Sequence, residues 1–249
     1  MALGRKQSIS NEDWLNAGFA SKERIDEISE QVIADIKSKA GKLAYAWSGG
    51  KDSIVLGHLC ERAGVKDCVL AVTDLEYPAF VQWVNNNKPE KLTIINTGQN
   101  LEWLKANQDM LFPDDSRITS KWFRIVQHRA QNKYYKEQGL DMILLGRRRA
   151  DGNFVGRGTN VYESKGVVRY SPISEWTHEE VLGYLIHENL PIPPIYSWYN
   201  GYKCGTHPWP ARPYTKGNGW QEVYDIDPAI VVGASGYIES AKMFLEDRK

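Results

Sequence analysis

The chain has little cysteine. Cys60, Cys68 and Cys204 are the whole complement of 249 residues, and no two form a Cys-x-x-Cys pair. That excludes a disulfide framework and a paired-cysteine redox or metal motif, and makes a reducing cytoplasm the expected compartment. No apolar run approaches the ~20 residues a membrane span requires. The first residues lack the apolar core of a signal peptide, so no membrane partner is expected. A charge excess is missing as well. With 31 basic and 31 acidic side chains the formal net charge is zero, which argues against a broad nucleic-acid surface. Repeats and low-complexity tracts are absent. What is present is an ordinary apolar share of 42% with nine tryptophans and thirteen tyrosines, enough for a sizeable core. Several of these aromatics fall in the last third, placed either to stack on a base or to pack.

The apolar pattern predicts alternating helices and short buried strands. Ile25, Ile28, Val32 and Ile36 recur at helical spacing between Ser21 and Lys39, and Gly41 stops that helix. Strands are expected at Leu43–Trp47, Cys68–Thr73, Leu92–Asn96 and Met142–Gly146, with helices from Ser53 to about Ala63, Pro78 to Asn86, Leu101 to Asn107 and Ser120 to about Glu137. Such alternation indicates an α/β fold with a doubly wound parallel sheet, whose ligands sit at the carboxyl ends of the strands. The candidate site therefore collects Ser48–Ser53, Asp74–Pro78, Asn96–Gly98 and Gly146–Asp151. Gly152, Gly156, Gly158 and Gly166 mark a loop-rich crossing segment. Thr177-His178-Glu179-Glu180 reads as a capping box opening a helix. The tail from Tyr196 reads as a loop-rich aromatic extension with a last helix near Tyr237–Glu246. The expected organisation is a helical segment at 1–41, a nucleotide-binding domain at 42–195 and a C-terminal extension over the active site at 196–249.

Ser48-Gly49-Gly50-Lys51-Asp52-Ser53 lies between the first strand and the next helix. Two glycines let the backbone turn and approach a ligand, and amides at a helix N-terminus suit a phosphate. Ser48 and Ser53 add hydroxyls and Lys51 adds positive charge. Asp52 beside a phosphate is repulsive unless a cation bridges them, which points to Mg²⁺. A Walker A loop is excluded, because Tyr45 stands where its first glycine belongs and Asp52 where its Ser or Thr belongs.

The turn instead resembles the PP-loop, Ser-x-Gly-Gly-x-Asp-Ser or close variants, of the adenine nucleotide α-hydrolase superfamily. Members bind ATP and cleave between the α and β phosphates. Gly146-Arg147-Arg148, Pro172-Ile173-Ser174-Glu175-Trp176-Thr177, Leu190-Pro191-Ile192-Pro193-Pro194-Ile195 and Gly201-Tyr202 follow in an order similar to the phosphoadenosine phosphosulfate (PAPS) reductase-like family. That family also includes ATP sulfurylase small subunits and phosphorothioation-type enzymes. The resemblance covers roughly Leu43 to Arg212. It implies that Arg148 or a neighbour contacts phosphates or a sulfate, with Gly146 beside it and Arg157 and Arg169 as weaker candidates. It also places Asp74 near the nucleotide, as a ligand for ribose or metal or as a simple helix cap.

The resemblance leaves three functions open. The leading one is an AMP-forming ATP pyrophosphatase that activates an acceptor. Lys51, Asp52 and Arg148 would be catalytic, Asp52 would hold Mg²⁺, and ATP would be the nucleotide. The second is a sulfonucleotide reductase. Lys203-Cys204-Gly205-Thr206-His207 resembles the motif carrying the nucleophilic cysteine of PAPS reductases, with thioredoxin as reductant. Thr206, His207 and Arg212 match better the Gly-x-Thr-His stretch ending in Arg that cluster-free reductases carry at this point, where it would bind the nucleotide. One cysteine near the site is too few for an iron–sulfur cluster. The third is a non-catalytic nucleotide-binding subunit of a modification complex. Expected partners are an adenine nucleotide and an acceptor substrate. A homo-oligomer stays open.

Overall fold

A computed structural model describes residues 16–18, 20–113, 115–198, 205–209 and 219–248. The helices are α1 Lys22–Ser38, α2 Lys51–Arg62, α3 Pro78–Asn87, α4 Leu101–Ala106, α5 Ser116–Phe123, α6 Arg129–Glu137, α7 His178–His187, α8 Gly219–Ile226, α9 Pro228–Ser235 and α10 Glu239–Glu246. The strands are β1 Leu43–Ala46, β2 Cys68–Val72, β3 Leu92–Asn96, β4 Met142–Leu144, β5 Val161–Ser164 and β6 Val167–Tyr170. A π turn at Arg124–His128 joins α5 to α6. Among the described residues no helix is long and apolar enough to cross a membrane.

Among the described residues, the six strands form one sheet in the order β3-β2-β1-β4-β6-β5. β2, β1, β4 and β6 run parallel, with Tyr45 beside Cys68, Ala44 beside Ile143 and Ile143 beside Arg169. The chain moves from β1 outward to β2 and β3, then returns to the other side of β1 with β4. The order therefore reverses between β1 and β4, the kind of place where open α/β sheets bind ligands.

Two features depart from the sequence reading. The loop-rich crossing segment contains a hairpin, and β5 pairs antiparallel to β6, so one edge of the sheet is not parallel. Its turn places Lys165 at φ 56° and Gly166 at φ 74°, the two positive angles a two-residue hairpin requires. Glu163, Ser164 and Arg169 interrupt the apolar run that marks the other strands, so these two give little signal in the sequence. The C-terminal extension, expected as loop-rich, is helical where it is described. Asp227 caps α9 by accepting from the Ala229 amide, and Pro228 opens that helix, so a residue that looks like a breaker is a starter. Gly219 opens α8 where an added Cβ would collide with the Phe112 ring.

The chain divides into two compact units. One takes in the described residues up to Leu70, Val84–Ile95 and Gln131–Pro193; the other takes in Ala71–Trp83, Asn96–Ala130 and the described residues from Pro194. In the first unit Ala44, Val69, Tyr134, Tyr135, Ile143 and Val167 form a buried cluster. In the second, Trp122, Trp209, Trp220, Val223, Val231 and Ile238 do so. Trp209 and Trp220 are thus core residues, which decides for packing over base stacking at those two positions.

Candidate functional site

The turn after β1 is built by its own residues. Gly49 adopts φ 69°, a conformation open to glycine at little cost, and Gly50 is the N-cap of α2. The Ser53 hydroxyl accepts from the Ser48 amide at 3.0 Å and donates to the Gly50 carbonyl at 2.9 Å, with the Ser48 hydroxyl 3.1 Å away. Both serines therefore brace the turn. The result is a helix N-terminus at the carboxyl end of β1, with the amide donors and positive dipole end that suit an anion.

Four charged side chains from this unit meet at that helix start. Lys51 Nζ donates to Asp52 Oδ2 at 2.6 Å and lies 3.9 Å from Asp151 Oδ1. Arg148 Nε donates to Asp52 Oδ1 at 2.7 Å, Nη1 to the Trp176 carbonyl at 3.0 Å, and Nη2 to Asp151 at 3.0 Å and His178 Nδ1 at 3.0 Å. Arg148 is 0% exposed. Burial drives the Lys51 ammonium pKa down, and its two carboxylate neighbours only partly offset this. Burial pushes the Asp52 carboxyl upward, but Lys51 and Arg148 outweigh it and hold it below its ordinary range. Asp52 is thus an ionised carboxylate clamped between two cations.

The three adjacent arginines part company. Arg147 donates to the Tyr162 hydroxyl at 2.7 Å, and exposed Arg149 pairs with Glu175 at 2.6 Å. Only Arg148 enters the cluster, and it meets Asp52. Arg169 of β6 donates to Asn132 of α6 at 2.8 Å, and Arg157 is exposed. Gly146 backs the turn directly. A Cβ there would lie 2.9 Å from the Asp52 carbonyl oxygen and 3.1 Å from the Ser53 amide. Gly146→Ala is therefore expected to push the turn off β4 and cost about 1–3 kcal/mol of stability, read as a lower urea midpoint; an unchanged midpoint would show that the turn yields freely.

Asp74, Thr206 and His207 belong to the second unit. Exposed Asp74 accepts from Asn96 Nδ2 at 2.6 Å. His207 is buried, with Nε2 3.0 Å from Glu76 Oε1, Nδ1 3.1 Å from the Thr206 hydroxyl, and its ring edge-on to Trp122. Cys204 and Arg212 lie outside the described residues. Glu76 falls within the expected stretch Asp74–Pro78 but is given no role there; it is buried and accepts from the Thr73 amide and hydroxyl at 2.9 and 2.7 Å. The signal was available in Thr73-x-x-Glu76, the spacing at which a carboxylate reaches back to an amide. Burial alone would raise Glu76, but His207 and Thr73 outweigh it and hold it low. Among the described residues no group of three or more His, Cys, Asp and Glu is gathered as for a metal ion.

Comparison with known proteins matches residues 42–204 to a family model described as phosphoadenosine phosphosulfate reductase domain. Among solved structures, phosphoadenylyl-sulfate (PAPS) reductase from Candida auris, a phosphate complex, is similar at 20% identity over 77% of this chain and 94% of that one, with a TM-score of 0.53. The U34-tRNA thiolase NcsA from Methanococcus maripaludis, with its [4Fe-4S] cluster, is similar at 16% identity over 89% and 78% of the two chains, TM-score 0.45. FMN adenylyltransferase from Candida glabrata, in complex with FMN and the ATP analogue AMPCPP, is similar at 14% identity over 74% and 68%, TM-score 0.44. No curated protein sequence matches.

Proposed function

This chain belongs to the phosphoadenosine phosphosulfate reductase domain family, within the PP-loop adenine nucleotide α-hydrolase superfamily, and from that premise we propose that it binds Mg-ATP at Ser48–Ser53 and transfers AMP to an acceptor. The acceptor's nucleophile bonds to the α phosphorus as the α–β bridge breaks, and pyrophosphate leaves with the bond electrons. The observation that carries this reading is Asp52. A turn that merely held a sulfonucleotide would have no use for a carboxylate among phosphates, whereas departure of pyrophosphate calls for a cation and a group to hold it.

The residues suit a hard divalent cation. Asp52 and Asp151 lie 2.6 and 3.9 Å from Lys51 Nζ and offer carboxylate oxygens, the donors a hard cation takes. Asp52 would hold Mg²⁺, and the ion would supply charge for the leaving pyrophosphate. The first turn of α2 would bind the β and γ phosphates. Lys51 would move its charge from Asp52 toward them, and Arg148 would keep Asp52 oriented through Oδ1.

The test gives purified protein Mg-ATP in one reaction and PAPS with reduced thioredoxin in another. Magnesium-dependent ATP binding is measured alongside AMP, pyrophosphate, 3′,5′-ADP and sulfite. AMP and pyrophosphate are expected, falling about 100-fold or more in Asp52→Ala. Sulfite lost in Cys204→Ser would instead make the chain a reductase. Binding without any product would favour a non-catalytic nucleotide-binding subunit.

A further inference from the structure

Three acceptors around the Arg148 guanidinium are oxygens, those of Asp52, Asp151 and the Trp176 carbonyl; the fourth is an imidazole nitrogen. We infer that His178 is a positioning residue: as a neutral ring protonated on Nε2 it fixes the guanidinium that holds Asp52, and protonation of Nδ1 releases that hold. This inference rests on the reading of Ser48–Ser53 as the nucleotide site.

The tautomer follows from chemistry. A guanidinium has five N–H donors and no acceptor, and it does not deprotonate in proteins. His178 Nδ1 stands 3.0 Å from Arg148 Nη2, so Nδ1 must present a lone pair and the ring proton must be on Nε2. A proton on Nδ1 would set N–H against N–H, and the doubly protonated ring would place a second cation against Arg148. The position of His178 acts in the same sense. It is the first residue of α7, directly after the Thr177 cap, where the helix dipole disfavours a positive side chain.

Carboxylates act in the opposite sense. Asp151 and Asp52 share the same guanidinium, and Asp52 is also held by Lys51. Glu179 and Glu180 lie on the same helix. Glu180 closes the capping box on the Thr177 amide at 2.8 Å and lies 3.5 Å from Arg24, and Glu175 is taken by Arg149. Each of these carboxylates thus has a partner of its own or belongs to the exposed first turn, whereas Arg148 touches the ring directly. Of these groups it is Arg148 that meets Nδ1, so this contact sets which nitrogen of the neutral ring carries the proton.

The segment Trp176–His178 provides two of the four groups that orient the guanidinium, so both help to aim its Nε at Asp52. Asn is the conservative replacement, because its Oδ1 occupies the place of Nδ1 and cannot be protonated. Gln puts its amide at the place of Nε2 and misses Arg148.

The test combines two readouts on the full chain. Long-range ¹H–¹⁵N spectra of the histidine side chains, with His178 assigned from its loss in His178→Asn, are expected to show an acceptor-type Nδ1 and a protonated Nε2. Affinity for Mg-ATP is then followed from neutral to acid pH. Wild type is expected to weaken about tenfold as His178 protonates, His178→Asn to stay within about twofold across the same range, and His178→Gln to start about tenfold weaker. A proton on Nδ1 at neutral pH, or equal behaviour of Asn and Gln, would overturn the inference. If wild type does not bind Mg-ATP, the proposed function fails on its own. The tautomer and the urea midpoints of the same variants then decide the role of His178, with the Gln midpoint expected below those of wild type and Asn.

Discussion

Arg148→Met is expected to lower the stability of the protein by about 3–5 kcal/mol, the usual cost of removing one member of a buried ion pair. The replacement keeps most of the side-chain volume, so the loss is electrostatic. Asp52 keeps only Lys51, Asp151 keeps a lysine at 3.9 Å, and the Trp176 carbonyl and His178 Nδ1 each lose a donor. Urea unfolding measures the effect directly. A loss under about 1 kcal/mol would mean that water or a repacked Lys51 takes the place of the guanidinium. In a double-mutant cycle with Asp52→Asn, the two changes are expected to cost less together than the sum of each alone, because one removes what the other requires.

The same cluster sets an acid limit. Asp52 is held below its ordinary range in the folded protein, so between the folded and unfolded values the unfolded chain binds more protons. The stability it contributes is complete above the ordinary carboxylate value, about pH 4, and is lost as pH falls through the folded one. Arg148→Met removes a cation that holds Asp52 low, so its stability is expected to change less over that acid range than that of wild type.

Glu76→Ala is the second large effect, at about 2–4 kcal/mol. The buried carboxylate accepts from the Thr73 amide and hydroxyl and faces His207 at 3.0 Å. Removing it leaves two buried donors without their acceptor and takes away the carboxylate that faces the imidazole. It also weakens a tie on the segment that follows Cys204. That segment is held by Tyr77 N donating to the Thr206 carbonyl at 3.0 Å and by Trp209 Nε1 donating to the Leu75 carbonyl at 2.8 Å. Faster hydrogen exchange is expected at the amides of Gly205–Trp209 in Glu76→Ala. Glu76→Gln, which keeps an acceptor for Thr73 and loses only the charge, is expected to lose about half as much stability. Equal losses in Ala and Gln would place the whole effect in the charge of the carboxylate.

Much of this protein can be read from local pattern. The strand–turn–helix around Ser48–Ser53 is a contiguous stretch whose glycine spacing, flanking apolar runs and charged residues all act within a few residues. β3 at Leu92–Asn96 lies where the apolar run predicts it, and the capping box at Thr177–Glu180 is present in the structure. These elements depend on interactions that reach no further than about one helical turn, and the sequence states such interactions in order. The β5–β6 hairpin and the helices α8 and α9 were not legible for the opposite reason. Their strands or breakers are locally ambiguous, and only partners distant in sequence, such as β4 beside β6 and Phe112 against Gly219, select the outcome.

By itself the sequence determined the PP-loop turn, the alternation of helix and strand, and the residue types available for phosphate and cation. Tertiary structure alone decided which of three neighbouring arginines reaches Asp52, that Glu76 rather than Asp74 is the buried carboxylate after β2, and that the strand order reverses between β1 and β4. Neighbouring arginines are indistinguishable in composition, and the direction each side chain takes is set by what lies across the sheet end. For Arg148 that is a carboxylate 96 positions earlier in the chain and a carbonyl 28 positions later, distances over which only the folded chain brings residues together.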